Sequence, residues 1–196
     1  MRKIFLTLLA CAVAVGASAL EPVKLNEPDL KRGKSLMQAL SGRESQRKFE
    51  AQELSLQDMS DLLWAANGIN RSNGKRTAPS AMDKQDIVLY VLTAKGSYRY
   101  DHKEHLLEPI KEGDFRQKVR NNASAINVLL VANDGNARHA YTNAGYVSEN
   151  IYLVCSALDM GTVACGSMDE DAFRKACNLK ERQKVVVWHP VGYPAE

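Results

Sequence analysis

Residues 138–160 repeat apolar side chains on two sides of one helix, and no other stretch constrains the fold as much. Ala144, Val147, Ile151, Cys155 and Leu158 follow one another at spacings of three, four, four and three, the stripe of a helix packed along one face. Tyr141, Tyr152 and Val154 add apolar surface on the far side. A helix apolar on two faces needs two partners, so this one belongs at the centre of a domain or of a dimer.

The elements around it are legible from period and punctuation. "IVLYVLTA" at 87–94 and "INVLLVAN" at 126–133 read as buried strands. "SYRYD" and "HLLEPI" read as a hairpin turning at "HKE", "GTVACGSM" at 161–168 as a short strand and turn, and "KVVVWHPVGY" as the last strand. A helix is expected over 31–41 with Leu36, Met37 and Leu40 as its apolar face, and another over 56–66 with Ser55 as N-cap and Asp58 completing a capping-box-like start. A short helix is expected over 169–177. Residues 20–35 form a Pro-containing, extended lead-in to a domain over 36–196. Helices and strands that mingle without strict alternation predict an α+β layer fold.

The first 19 residues stand apart. Arg2 and Lys3 precede an apolar run that ends in Ala17-Ser18-Ala19, the pattern of an export signal cut after Ala19. The rival readings are an N-terminal anchor and, from "LLAC" at 8–11, a lipoprotein box. Removing 1–19 takes two basic residues and no acidic one, which leaves 24 against 23 and a charge of +1. That balance does not call for nucleic acid or an acidic membrane surface. A periplasmic or secreted location follows, with Cys155, Cys165 and Cys177 remaining. An odd count is not a complete disulfide framework, and the spacing fits no zinc pattern, so buried free thiols are expected.

Three places offer a ligand something to bind. Arg43 and Arg47 sit four apart in "GRESQRKF" and converge on one phosphate if the chain turns through Glu44-Ser45-Gln46; a solvated helix end would look the same. Pro79-Ser80-Ala81 in "KRTAPSA" lets a flat ligand approach the backbone, or is an ordinary loop into a strand. "GTVACGSM" offers small residues after the long helix, or a close strand crossing, and lacks the spacing of a P-loop or a dinucleotide fingerprint. His102, His105, His139 and His189 stand near no G-x-S-x-G elbow, H-E-x-x-H does not occur, and Cys155 on an apolar stripe is poor ground for a thiolate. Scarce side-chain chemistry beside backbone-rich binding places suits a protein whose cofactor does the chemistry.

Taken in order, "LMQALSGRESQRKFEAQELSLQDMSDLLWAANGINR", "KRTAPSA", "DIVLYVL", "YRYD", "AGYVSENIYLVCSALDMGTVACGSMDEDA" and "VGYPAE" resemble the FMN-dependent nitroreductase family over residues 36–196. Within it they resemble the branch of azoline-oxidase-like, thiazole- and oxazole-forming dehydrogenases. The resemblance implies a three-layer fold, with a mostly antiparallel central sheet flanked by helices, and a homodimer holding two FMN molecules between its subunits. It places Arg43, Ser45 and Arg47 at the FMN phosphate and ribityl chain, Pro79, Ser80 and Ala81 along the ring, and Gln85 at the ring edge. It gives the Gly166 backbone N–H to flavin N5, flanked by Ala164, Cys165 and Ser167. No side chain is expected as a catalytic acid, and no metal.

Two departures stand out. Family members often continue to a basic segment with another phosphate contact, whereas this sequence stops at Glu196, which leaves Lys75 or Arg76 as substitutes. The position beside N5, often Pro or a charged residue, is small here at Ala164 and Gly166. The expected function is an exported FMN-dependent oxidoreductase working by two-electron ping-pong chemistry on a small molecule. An exported flavin-binding or scavenging protein, and a dimeric interaction module with an empty cleft, are the alternatives.

Overall fold

The computed structural model describes residues 20–195. The expected export signal lies outside them. The chain forms β1 (Val23–Lys24), α1 (Leu36–Gly42), α2 (Leu56–Asn67), a short 3-10 turn (Ala81–Asp83), β2 (Ile87–Leu92), β3 (Gly96–Asp101), β4 (Leu106–Glu112), β5 (Ile126–Ala132), α3 (Ala140–Ala157), β6 (Gly161–Thr162), α4 (Glu170–Ala176) and β7 (Lys184–Gly192). Seven strands make one sheet in the order β1-β4-β3-β2-β5-β7-β6, and every neighbouring pair is antiparallel.

Strand β5 sits near the middle, and all seven of its residues are buried. Side chains alternate across a strand. Ile126, Val128, Leu130 and Ala132 therefore face one core with Ile87, Leu89 and Val91 of β2, beneath α2 and α3. Leu129 and Val131 face a second core with Tyr90, Leu92, Val185, Trp188 and Phe173 of α4. Two dry faces explain why β2 and β5 read as continuous apolar runs. Helices cover both faces of the sheet, giving the α+β, three-layer arrangement expected from the sequence.

Helix α3 carries its expected stripe: Ala144, Val147, Ile151 and Cys155 are buried in the first core, and Leu158 is its C-cap. The hairpin forms as expected, with β3 and β4 pairing around residues 102–105. Helix α1 differs from expectation. It starts at Leu36, where Ser35 and Gln38 form a full capping box, and residues 31–34 are outside it. Its buried residue is Ala39, while Leu36, Met37 and Leu40 are 62%, 73% and 46% exposed. The helical spacing was sound, but the apolar face points away from the chain's own core.

Extended residues 20–35 are built into the sheet and strapped to α2. Val23 and Lys24 pair with Leu107 and Leu106 at the sheet edge. Arg32 reaches α2 with Nη1 on Asp61 at 2.6 Å and Nη2 on Asp58 at 2.5 Å. Asp58 also accepts from Ser55 Oγ (2.7 Å) and Tyr193 OH (2.6 Å). Ser55 caps α2 by accepting from the Asp58 N–H, while its own N–H donates to Tyr193 OH, so the tyrosine takes the return bond of a capping box. One carboxylate thus joins the lead-in, the α2 start and the C-terminal segment.

Burial alone would raise the Asp58 pKa, but hydrogen bonds from Tyr193, Ser55 and Arg32 hold it below the ordinary 3.8. A depressed carboxylate gives stability that is present above its unfolded value and lost as pH falls through the folded one. Asp58→Asn should therefore destabilise the protein at neutral pH by about 1–3 kcal/mol in urea unfolding. The deficit should shrink below pH 3.8. A deficit independent of pH would remove the charge from this account.

Candidate functional site

Two groups of candidate residues form, and both hang from α3. The first gathers on Tyr152. Past α1 the chain straightens: Arg43 is extended (φ −64°, ψ 120°), and no helix continues through 43–48. Gln46 N–H donates to Thr162 O at 2.9 Å, which lays this segment against β6. A Cβ on Gly161 would fall 2.6 Å from Gln46 Cγ, so only glycine permits that approach. Ser45 Oγ lies 3.2 Å from Tyr152 OH, and the Arg43 guanidinium stands over the Tyr152 ring, 5.2 Å from its centroid. The phenol oxygen also accepts the Ala164 N–H at 2.8 Å.

Beyond Ala164 the backbone is pinned by β7. Cys165 N–H donates to Trp188 O (2.8 Å), Trp188 N–H returns to Cys165 O (3.1 Å), and Trp188 Nε1 donates to Ser167 O (2.9 Å). Gly166 lies between these anchors, exposed, and a Cβ placed there meets nothing within 4 Å. Burial raises the Cys165 pKa, and the nearby Arg47 charge opposes the rise. Arg43, Ser45, Arg47, Ala164, Cys165, Gly166 and Ser167 therefore share one region. Among the described residues neither arginine has a carboxylate within 4.0 Å, so both charges remain available to an anion.

The second group is Pro79, Ser80, Ala81 and Gln85. Ala81 N–H donates to Asn143 Oδ1 (2.8 Å), and Asn143 Nδ2 donates to Asp86 (2.7 Å), which ties the turn to the first part of α3. Gln85 N–H donates to Ser80 Oγ at 2.8 Å. Met82, Asp83 and Gln85 all have positive φ (52°, 55°, 47°), a conformation that side chains adopt reluctantly and that clusters at binding sites. Lys75 is ion-paired with Asp83 at 2.9 Å. Arg76 is buried, with Nη1 on Ile87 O (3.0 Å) and Nη2 beside His102 Nε2 (3.0 Å). Neither joins Arg43 and Arg47, so the two substitutes expected for a C-terminal arginine are engaged elsewhere in the chain.

The groups do not meet within one chain. Asn143 and Tyr152 are nine residues apart, about 14 Å along a helix and half a turn around it. One chain thus presents two half-cradles at opposite ends and sides of α3. Sequence reasoning missed both anchors. Tyr152 read as far-side apolar surface, and the one signal for Asn143 is a polar residue next to the buried stripe.

Chain membership in a family follows from comparison with known proteins. The three-layer, all-antiparallel architecture is that of nitroreductases, and the nitroreductase family model matches residues 40–193, so this chain belongs to the nitroreductase family. A candidate nitroreductase of Methanocaldococcus jannaschii is 25% identical over 90% of this chain and 99% of its own. The crystal structure of a candidate nitroreductase from Ralstonia eutropha is 32% identical with a TM-score of 0.84, covering 91% of this chain and 92% of that one. An FMN-dependent nitroreductase from Clostridium difficile shares the fold at 16% identity with a TM-score of 0.58, covering 83% of this chain and 92% of that one.

Beneath the first half-cradle lies His189, fully buried. Its Nε2 lies 2.8 Å from Ser148 Oγ and its Nδ1 3.0 Å from Thr162 Oγ1. Thr162 gives its hydroxyl proton to Pro190 O (2.9 Å), so it accepts from Nδ1–H, and Ser148 donates to Nε2. Burial drives the His189 pKa down to about 3 from an ordinary 6.5, and the ring is neutral in the fold. Stability from a depressed histidine is full above 6.5 and is lost as pH falls from there toward 3. His102, lowered to about 4, and His105, also lowered, act in the same window, burial being the first cause for each. The melting temperature should fall from pH 7 to pH 5, and His189→Gln should flatten that slope in part. An unchanged slope would show that His189 takes up no proton on unfolding.

Proposed function

We propose that this protein is an exported FMN-dependent oxidoreductase that acts as a homodimer on a small-molecule donor and acceptor. The observation that carries the reading is the pair of arginines, Arg43 and Arg47, that have no carboxylate partner among the described residues and are gathered with Ser45 beside the open Gly166 backbone. This donor set fits FMN: two guanidiniums and a hydroxyl for the phosphate and ribityl chain, and an N–H beside open space for the ring edge. Bound FMN would supply reversible two-electron transfer, and no acid or base from the chain is required. Arg43 and Arg47 neutralise the phosphate, and small Ala164 and Gly166 admit the ring. With one opening beside Gly166, donor and acceptor would bind there in turn, which would give ping-pong kinetics. The 1–19 signal carries the chain to the periplasm or outside, and the azoline-oxidase-like branch is the part of the family whose motifs it resembles.

Two half-cradles on opposite sides of α3 support the dimer: a second copy brings Pro79, Ser80, Ala81 and Gln85 to the Arg43–Arg47 side of its partner. The exposed Leu36, Met37 and Leu40 of α1 give that contact an apolar surface. Sedimentation of residues 20–196 at micromolar concentration should give twice the chain mass. A monomer would leave each half-cradle alone and end the shared-site reading.

Arg47→Ala should weaken FMN far more than riboflavin, which carries the same ring without phosphate. A charge-assisted hydrogen bond contributes about 1.5–3 kcal/mol, so the loss should be on the order of tenfold to a hundredfold. Arg47→Lys should restore only part, since an ammonium makes no fork. The readout is a pair of fluorescence-quench titrations. Equal losses for both flavins would assign Arg47 to the fold, and a wild type that binds neither would remove FMN from the reading. Turnover by donor and acceptor, with parallel double-reciprocal lines, would separate an enzyme from a flavin carrier.

A further inference from the structure

Tyr152 touches more of the first half-cradle than any residue assigned to it. Its ring lies under the Arg43 guanidinium (5.2 Å), its hydroxyl shares a hydrogen bond with Ser45 (3.2 Å), and the same oxygen accepts the Ala164 N–H (2.8 Å). The ring edge is buttressed by His189, with centroids 5.3 Å apart and planes at 81°. Ser148 and Thr162 fix that histidine in turn at 2.8 and 3.0 Å, so the tyrosine has a rigid floor. Segment 164–167 is then held at three points: Ala164 by Tyr152, and Cys165 and Ser167 by Trp188. Within the segment the N–H groups of Gly166 and Ser167 are uncommitted among the described residues, and Gly166 is the one that carries no side chain toward the open space.

We propose that Tyr152 is the positioning residue that couples the phosphate clamp to the Gly166 backbone, so that an anion held by Arg43, Ser45 and Arg47 fixes the aim of the Gly166 N–H. The inference rests on the FMN reading of the site. Its physical basis is that one phenol oxygen serves both segments. Ser45 and Ala164 are far apart in sequence, and they are joined through that atom. A phosphate that orders Ser45 strengthens the bond that Ser45 shares with the fixed tyrosine, and the same phenol oxygen holds the segment that meets the ring. Held this way, the Gly166 N–H favours the oxidised ring, whose N5 accepts a hydrogen bond, over the reduced ring, whose N5 carries a proton.

Tyr152→Phe tests this, because it keeps the ring on His189 and under Arg43 and removes only the shared oxygen. The variant should weaken riboflavin, a ligand without phosphate, by about three- to tenfold, the worth of one neutral hydrogen bond. It should weaken FMN more, and it should move the midpoint potential of bound FMN to a more positive value. Arg47→Ala, by contrast, should cost riboflavin far less than FMN. Ser45→Ala, a change at an exposed position, should move the potential in the same direction by less, and it carries the test if Tyr152→Phe melts early. Tyr152→Phe with wild-type riboflavin affinity and potential would overturn the coupling even if FMN weakens, since the tyrosine would then only pack against the clamp. An unmoved potential in Ser45→Ala would overturn it as well. A wild type that binds neither flavin would overturn the FMN reading itself, and it is recognised without any variant.

Discussion

The packing of α3 against the sheet is the constraint on which the rest depends. Ala144, Val147, Ile151 and Cys155 occupy one side of the helix and close the first core over β2 and β5. Once that stripe is seated, the positions of Asn143 and Tyr152 are fixed, and with them the 79–85 turn and the 43–47 and 164–167 segments. A site made of loops is held to a rigid element by three side-chain hydrogen bonds. Cys155 shows how dry the seat is, because burial alone drives its thiol far above the ordinary range.

What the sequence disclosed, it disclosed through period. Strands β2 and β5 were legible because both faces are buried, which makes them unbroken apolar runs. Helix α2 was legible from Ser55 and a clear stripe. The R-x-S-x-R spacing was ambiguous for a physical reason: residues i and i+4 share a face in a helix, and residues i, i+2 and i+4 share a face in an extended chain. The spacing therefore suited both a solvated helix end and a chain leaving the helix to clamp a phosphate, and the chain does leave the helix at Arg43. The α1 face misled for the opposite reason. Its spacing was correct, but periodicity says that a face is apolar and not which body covers it.

The hidden part is whatever depends on distant residues meeting. A two-residue strand such as β1 has no pattern to detect. The role of Tyr152 exists only because residues 45, 152 and 164 come together, and no local rule joins them. Asp58 was visible as a cap, yet its ties to Arg32 and Tyr193 come from opposite ends of the described chain.

The two outer strands of the sheet, β1 and β6, are two residues long. A short rim gives an arriving chain almost no row of free amides and carbonyls on which to lay itself. Backbone-templated growth, the route to fibrils and to exchanged strands, finds only a short template in either outer strand. The apolar surface that α1 leaves exposed, Leu36, Met37 and Leu40, would make a joint through side chains. A joint of that kind is set by sequence and can be retuned one residue at a time, whereas a joint of backbone bonds would accept almost any partner of the right shape.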